Sequence, residues 1–228
     1  MSRKALAAGI FPVFLHSPAA SGLLISESIA MTMLGWLRSL RLLSSPELLK
    51  DLGERKMHLE RIGAISYRNP TCRIHNDLQL LGYSDKALEL GQGVSLCGNT
   101  LLAFGDELNG WGRIRVGDRT WVGPFNNLRA GGGDIQIGKD CLISQFCTLV
   151  ATNHGMDPSV PMITQPPATD RVGVVIGDDV WLGAGSVITP GTTIETGAVI
   201  GANSVVTHHV PAYEIWAGVP AKKIGQRQ

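Results

Sequence analysis

The chain has 228 residues, of which 44% are hydrophobic, 17% are charged and 28 are glycine. That apolar share excludes a disordered chain, and the glycines follow no Gly-X-Y period, which excludes collagen. Twenty basic against 19 acidic residues give a net charge of +1, so the basic excess of a nucleic-acid binder is missing and no nucleic-acid partner is expected.

In chain order, Arg3 and Lys4 precede the apolar stretch Ala5–Leu15, and Ser17, Pro18, Ala19 and Ala20 follow. This loosely mimics a signal peptide, but Pro12 interrupts the stretch and the cleavage pattern is poor. Over Leu23–Leu43, the residues Met33, Leu34, Trp36, Leu37 and Leu40 fit helical spacing. The expected role is a helix packed on its own domain or on a neighbouring subunit. The alternative is an interfacial helix on a membrane surface, because Arg38 and Arg41 make its few charges basic. No run of 18 apolar residues is present, so no spanning segment is predicted. A further helix begins at Ser45 as cap, with Pro46 in the first turn, Glu47 next, and Leu48, Leu49 and Leu52 on one face. It is expected to end near Arg61–Gly63, and residues 1–70 are read as an N-terminal helical, capping region.

The remainder is governed by a period of six. Ile176, Leu182, Ile188, Ile194, Ile200 and Val206 are aliphatic residues six positions apart. Four places after each come Val180, Ser186, Thr192, Ala198 and Ser204, small or β-branched, while Gly177, Gly183 and Gly201 directly follow their aliphatic residue. The phase recurs upstream in Ile137, Ile143 and Leu149, in Val116, Val122 and Leu128, and more weakly in Leu90, Leu96 and Leu102. Neither a helix, with period 3.6, nor an alternating strand, with period 2, produces this. A solenoid does, with one short strand and one turn per hexad and three hexads per triangular coil. The aliphatic residue points inward, the small one fits the corner, and glycines are expected to serve turns at positive φ. About five coils are predicted within residues 88–211, with residues 212–228 as a C-terminal tail. Cys141 and Cys147 fall on corner positions and, with Cys72 and Cys97, are read as reduced thiols of a cytosolic protein.

The stretch from Val174, VVIGDDVWLGAGSVITPGTTIETGAVIGANSVV, with the closing Ala217-Gly218-Val219-Pro220-Ala221-Lys222, resembles the hexapeptide-repeat acyltransferases, in their branch acting on sugars and polysaccharide precursors. The likeness covers roughly residues 88–225. It implies an all-β solenoid, the left-handed parallel β-helix. It further implies a homotrimer with sites between subunits, acetyl-CoA or a related acyl-CoA as donor, and an O-acetyltransferase acting in the cytoplasm with no required metal. Membrane association is possible but not favoured.

The repeat breaks after Asn153. His154 is followed by a run to Val175 containing Pro158, Pro161, Pro166 and Pro167, which must leave the prism as a loop. A histidine at this junction matches the family's general base. An imidazole, with an ordinary pKa near ~6.5, suits proton removal from an attacking hydroxyl at neutral pH. By the same resemblance, Trp181 and Ala184 flank the path of the donor's pantetheine arm and Ala202 supplies contacts in the next coil. Thr207, His208 and Lys222 match residues that meet its phosphates, with His208 standing where the family usually has lysine. For the acceptor, Asn126, Asn127 and Arg129 are candidates through hydrogen bonds to sugar hydroxyls, although Asn126 occupies a corner position and equally reads as a ladder residue. Asp157 is the carboxylate nearest in sequence for orienting His154. The run Gly131–Gly133 lacks a following Gly-Lys-Ser/Thr and is no phosphate loop; it is read as absorbing extra residues between coils. Two other functions are carried forward: an inert scaffold subunit, and a γ-type carbonic anhydrase, which needs three converging histidines that the repeats do not offer.

Overall fold

The computed structural model describes residues 35–36, 38–41 and 44–228. The chain falls into two units, Met1–Met57 and His58–Gln228. In the first, residues 35–36 and 38–41 are helical. Most of the helix expected over Leu23–Leu43, and all of Ala5–Leu15, lie outside the described residues. Helix α1 (Pro46–Arg68) begins in this unit. Ser45 Oγ accepts the Leu48 N–H at 3.5 Å. The helix runs beyond the end expected at Arg61–Gly63, because Ile62 and Ile65 have an apolar surface to cover: both are 1% exposed. By contrast, Leu49 and Leu52 remain half exposed. No helix among the described residues is long and apolar enough to cross a membrane.

The second unit is a parallel β-solenoid. Coil 1 is β1 (Arg73–Ile74), β2 (Gln79–Leu81) and β3 (Leu88–Leu90). Coil 2 is β4 (Ser95–Leu96), β5 (Leu101–Ala103), an inserted hairpin β6 (Gly105–Asp106) and β7 (Gly110–Trp111), and β8 (Ile114–Val116). Coil 3 is β9 (Trp121–Val122), β10 (Asn127–Arg129) and β11 (Ile135–Ile137). Coil 4 is β12 (Leu142–Ile143), β13 (Thr148–Val150) and, after a long loop, β14 (Val174–Ile176). Coil 5 is β15 (Trp181–Leu182), β16 (Val187–Ile188) and β17 (Thr192–Ile194). Coil 6 is β18 (Val199–Ile200), β19 (Val205–Val206) and a bridge from Val210 to Ile194. The tail adds β20 (Glu214–Gly218) and the antiparallel β21 (Ala221–Gln226) to the edge of the first sheet.

The hexad phase is the inward phase. Leu96, Val122, Ile143, Leu182 and Ile200 stack in register on the first sheet, and Leu102, Leu128, Leu149, Ile188 and Val206 on the second. All ten are at most 1% exposed, and each such side chain contributes roughly 1.5–3 kcal/mol relative to leaving it in water. Six coils form where about five were expected. The additional one is coil 1, where Ile74 pairs with Leu96 and Leu80 with Leu102. Its third side starts late, at Leu88, so the period is broken before it can be recognised.

The corner residues do more than fit. Thr100 Oγ1 donates to the Gly123 carbonyl at 2.8 Å and accepts the Asn126 N–H at 3.2 Å. Thr120 Oγ1 does the same with the Gly138 carbonyl and the Cys141 N–H, at 2.7 and 3.0 Å. Cys141 and Cys147 are free and buried, as expected. Their thiols point at the carbonyls of Gly177 and Gly183, at 3.1 and 3.3 Å. Burial pushes both thiols up from their ordinary pKa, which keeps them protonated donors.

The glycines that follow the inward aliphatics do not serve positive φ, as had been expected. A Cβ on Gly177 would stand 2.6 Å from Thr196 N, and one on Gly117 2.6 Å from Gly138 C. They are glycine because stacked coils approach backbone to backbone there. The left-handed residue comes two places later and is often not glycine: Arg119, Phe125, Asp140, Phe146, Asp179 and Asn203 all have φ between 55° and 61°.

Two of the three corners hold four residues in every coil, for example 123–126 and 117–120. The corner between the second and third sheets varies, with segments 82–87, 104–113, 130–134 and 151–173 in coils 1 to 4.

Candidate active site

That variable corner builds a groove. Its floor is the column Leu81, Ala103, Arg129 and Val150, the last residues of β2, β5, β10 and β13, paired in register. One wall is the β6–β7 hairpin with Asp106 and Asn109, and the other is Thr152, Asn153 and His154 at the start of the long loop; together they enclose about 310 Å³.

The hairpin stands where it does because glycine meets glycine. A Cβ on Gly131 would lie 3.1 Å from Gly105 Cα, one on Gly110 3.3 Å from Gly132 Cα, and one on Gly112 would strike the carbonyls of Ala130 and Gly133. The run Gly131–Gly133 is therefore the seat of the hairpin rather than slack between coils. Within the hairpin, Asp106 Oδ1 accepts the N–H groups of Leu108 and Asn109 at 2.9 and 2.7 Å and also the Asn109 amide. These bonds, led by the Asn109 side chain, hold its carboxyl below the ordinary value.

The long loop leaves at Ala151 and returns at Gly173, whose N–H bonds the Ala151 carbonyl at 2.6 Å. His154 makes an antiparallel bridge with Pro167, which fixes the backbone from which the imidazole projects. Gln165, 8% exposed, ties the loop from inside: it donates to the carbonyls of Asp157 and Val160, both at 2.9 Å, and accepts the Asp157 N–H at 2.8 Å. The imidazole of His154 is exposed and has no hydrogen-bond partner among the described residues. Asp157 does not orient it. Its carboxylate accepts from Ser159 N and Oγ at 2.9 and 2.6 Å, and this hydroxyl bond first of all holds its pKa down.

The acceptor candidates separate. Arg129 is exposed in the groove floor beside the His154 wall. Asn126 is removed from the acceptor set: it is 2% exposed, its Oδ1 accepts the Cys147 N–H at 2.6 Å and its Nδ2 donates to the Gly123 carbonyl at 2.9 Å. The ladder reading of that corner position is the one its geometry satisfies. Asn127 is half-buried on β10, and its Oδ1 is a buried side-chain atom without a partner among the described residues.

None of the donor candidates lines this groove. Trp181 is half exposed on β15, with its Nε1 donating to Ser144 Oγ at 3.2 Å. Ala184 and Ala202 come together at one four-residue corner, where the Asn203 N–H bonds the Ala184 carbonyl at 2.8 Å. Thr207 and His208 lie at the variable corner in coil 6, their side chains joined at 2.7 Å. Arg171, at the returning end of the long loop, donates to the Thr207 carbonyl and was not singled out from the sequence. Lys222 is exposed on β21, next to Lys223, which is held by Glu214 at 2.6 Å. Asp106, Asn109 and Gln165 were also missed; the available signal was the glycine-flanked Asp-to-Asn turn inside the over-long interval from Leu102 to Val116. Among the described residues no three His, Cys, Asp or Glu side chains are grouped to hold a metal ion.

Residues 173–208 match the family model "Bacterial transferase hexapeptide (six repeats)". WbbJ of Escherichia coli strain K12, assigned by its name to lipopolysaccharide biosynthesis as an O-acetyl transferase, is 37% identical over 159 residues, 67% of this chain and 74% of that protein. Galactoside O-acetyltransferase of the same organism is 34% identical over 111 residues, 49% of this chain and 53% of its own. Several other curated relatives are spanned over only 38% to 59% of their length. Among solved structures, a point mutant of AntD, an N-acyltransferase from Bacillus cereus, in complex with dTDP and coenzyme A, superposes with a TM-score of 0.57 at 23% identity, over 69% of this chain and 82% of its own. That likeness fixes the fold as the left-handed parallel β-helix. With the repeat and the WbbJ alignment, it follows that the chain belongs to the family of bacterial hexapeptide-repeat acyltransferases.

Proposed function

We propose that this chain is an acetyl-CoA-dependent O-acetyltransferase, acting in the cytoplasm as a homotrimer on a hydroxyl of a sugar or polysaccharide precursor, with His154 as general base. The observation that carries this reading is His154 itself: an exposed, unpartnered imidazole at the coil-to-loop junction, facing a groove of about 310 Å³ whose floor holds Arg129. The printed names of WbbJ and galactoside O-acetyltransferase support the reaction class, and the coenzyme A complex of AntD supports the donor. His154 takes the proton of the attacking hydroxyl and returns it to the leaving thiol, so the imidazole ends the cycle neutral. Arg129 and Asn127 contact the acceptor. Trp181, Ala184 and Ala202 line the path of the donor, and Thr207, His208 and Lys222 meet its phosphates. Asp157 serves the acceptor side through the fold of its loop.

The test is acetyl-CoA-dependent thiol release against a panel of sugars, nucleotide sugars and amino acids. His154→Ala should lower kcat by about 10²–10⁴-fold with coenzyme A affinity and the trimer preserved. A variant that keeps more than about a third of wild-type kcat would refute the assignment of the base. A mass near 24.3 kDa by light scattering would refute the trimer.

A further inference from the structure

We infer that the acceptor carries an oxyanion, a carboxylate or a phosphate ester, and that Arg129 is its receptor. This deepens the acetyltransfer reading and rests on it. The other arginines of coils 2 and 3 are all committed to carboxylates. Arg113 is tied to Asp134, Arg115 to Glu89 and Asp134, and Arg119 to Asp140, each at 3.3 Å or less. In every case the partner sits one coil away, at the spacing that stacked strands impose. Arg129 has no such neighbour, because the residues directly above and below it in the ladder are Ala103 and Val150. Among the described residues nothing ion-pairs or hydrogen-bonds its guanidinium.

Among the described residues one carboxylate lines the groove, that of Asp106. Its oxygens are already taken by two backbone N–H groups and the Asn109 amide. The hairpin fold therefore commits Asp106 and leaves Arg129 uncommitted. A guanidinium offers five N–H donors in a planar fork, matched to two oxygens of a carboxylate or phosphate. Apolar ladder neighbours also make its surroundings less able to screen it than open water. Its place in the floor of the His154 groove ties the anion to the hydroxyl that is acylated. The acceptor is then a sugar acid or a phosphorylated sugar rather than a neutral one.

The experiment compares thiol release with galactose, galacturonate and the methyl ester of galacturonate, and with glucose and glucose 1-phosphate, in the wild type, Arg129→Gln and Arg129→Lys. The anionic member of a set should exceed its neutral partner in kcat/KM by about ten- to a hundredfold in the wild type. Arg129→Gln should erase that advantage, lowering kcat/KM far more for the anionic acceptors than for the neutral sugars, and Arg129→Lys should restore part of it. The carboxylate and phosphate arms tell the two sources apart. Equal kcat/KM for neutral and anionic acceptors, or an equal loss on both in Arg129→Gln, would overturn the inference while acetyl transfer stands. Titration calorimetry of the full-length protein with galacturonate and glucose 1-phosphate reads the anion site independently of catalysis. Heat lost in Arg129→Gln supports it. Neither anion binding, or binding that survives the substitution, overturns it. Thiol release from no acceptor, with anion binding intact, would instead refute the acetyltransfer reading.

Discussion

Asn126→Ala separates the two roles its position suggested. Its side chain is 2% exposed and makes two bonds, to the Cys147 N–H at 2.6 Å and to the Gly123 carbonyl at 2.9 Å. After truncation the Gly123 carbonyl keeps the Thr100 hydroxyl at 2.8 Å, whereas the Cys147 N–H is left buried without a partner. An orphaned buried donor costs about 1–3 kcal/mol, and the second bond about 1 kcal/mol more. The total of about 2–4 kcal/mol corresponds to a fall of roughly 4–15 °C in Tm for a domain of this size. The neighbouring corners supply the rescue. Thr100 and Thr120 show that one hydroxyl can donate to a corner carbonyl and accept the N–H of the next coil. Asn126→Thr should therefore recover most of the lost Tm, and Asn126→Asp should not, since it removes the donor and buries a charge. Calorimetric melts, alongside kcat/KM for the acceptor, decide the matter. An Asn126→Ala protein melting within about 2 °C of wild type, with acceptor kcat/KM reduced tenfold or more, would refute the ladder role and return Asn126 to the site.

Two further outcomes are expected. Lys222→Ala should raise KM for acetyl-CoA several-fold with kcat nearly unchanged, because it removes binding that is uniform between ground and transition states; an effect confined to kcat would mean Lys222 does not meet the donor's phosphates. The tail hairpin should make stability acid-sensitive: Glu214 is held below its ordinary 4.5 by Lys223 first and by the Trp216 indole second. The unfolded chain then takes up the proton before the folded one does, so this stabilisation is complete above about pH 4.5 and is lost as pH falls toward the lower folded value. Glu214→Gln should flatten the decline of Tm below that pH, and an unchanged slope would show that the pair contributes nothing.

The inward face was legible because a solenoid repeats its chemistry at a fixed spacing: each hexad aliphatic from Val116 through Val206 has its side chain inside. Coil 1 was not, since Leu80 and Leu90 are separated by an extra segment that erases the period. The function of the glycines that directly follow the inward aliphatics was misread for a related reason. A close approach of stacked coils and a positive φ both ask for glycine, and only the neighbouring coil tells them apart. The corner residues that do take positive φ are glycine in some coils, such as Gly185 and Gly197, and Arg119 or Phe125 in others, so composition marks them only in part. His154 was legible because prolines announce where the chain must leave the prism. The opposing wall was not, because hairpin 105–111 acquires meaning only when Gly131–Gly133, one coil away, is seen beneath it.

A regular solenoid face is a poor place for chemistry. Outward side chains on one sheet stand parallel, so they form ladders, as Glu89 and Arg115 do, rather than converging on a point. Convergence needs a wall, and a wall needs extra chain. Here the extra chain enters at one corner in alternate coils, as the hairpin of coil 2 and the long loop of coil 4, with the shorter coil 3 between them. Coil 3 thereby becomes the floor of a groove, and its last outward residue on β10 is Arg129. The same geometry that denies Arg129 a carboxylate partner places it below His154. Lengthening the corner of coil 3, for example by inserting two residues after Gly132, should therefore lift the hairpin from its glycine seat and abolish acetyl transfer while leaving the inward ladders, and most of the Tm, intact. Transfer persisting at the wild-type rate after such an insertion would show that the hairpin wall takes no part in the site.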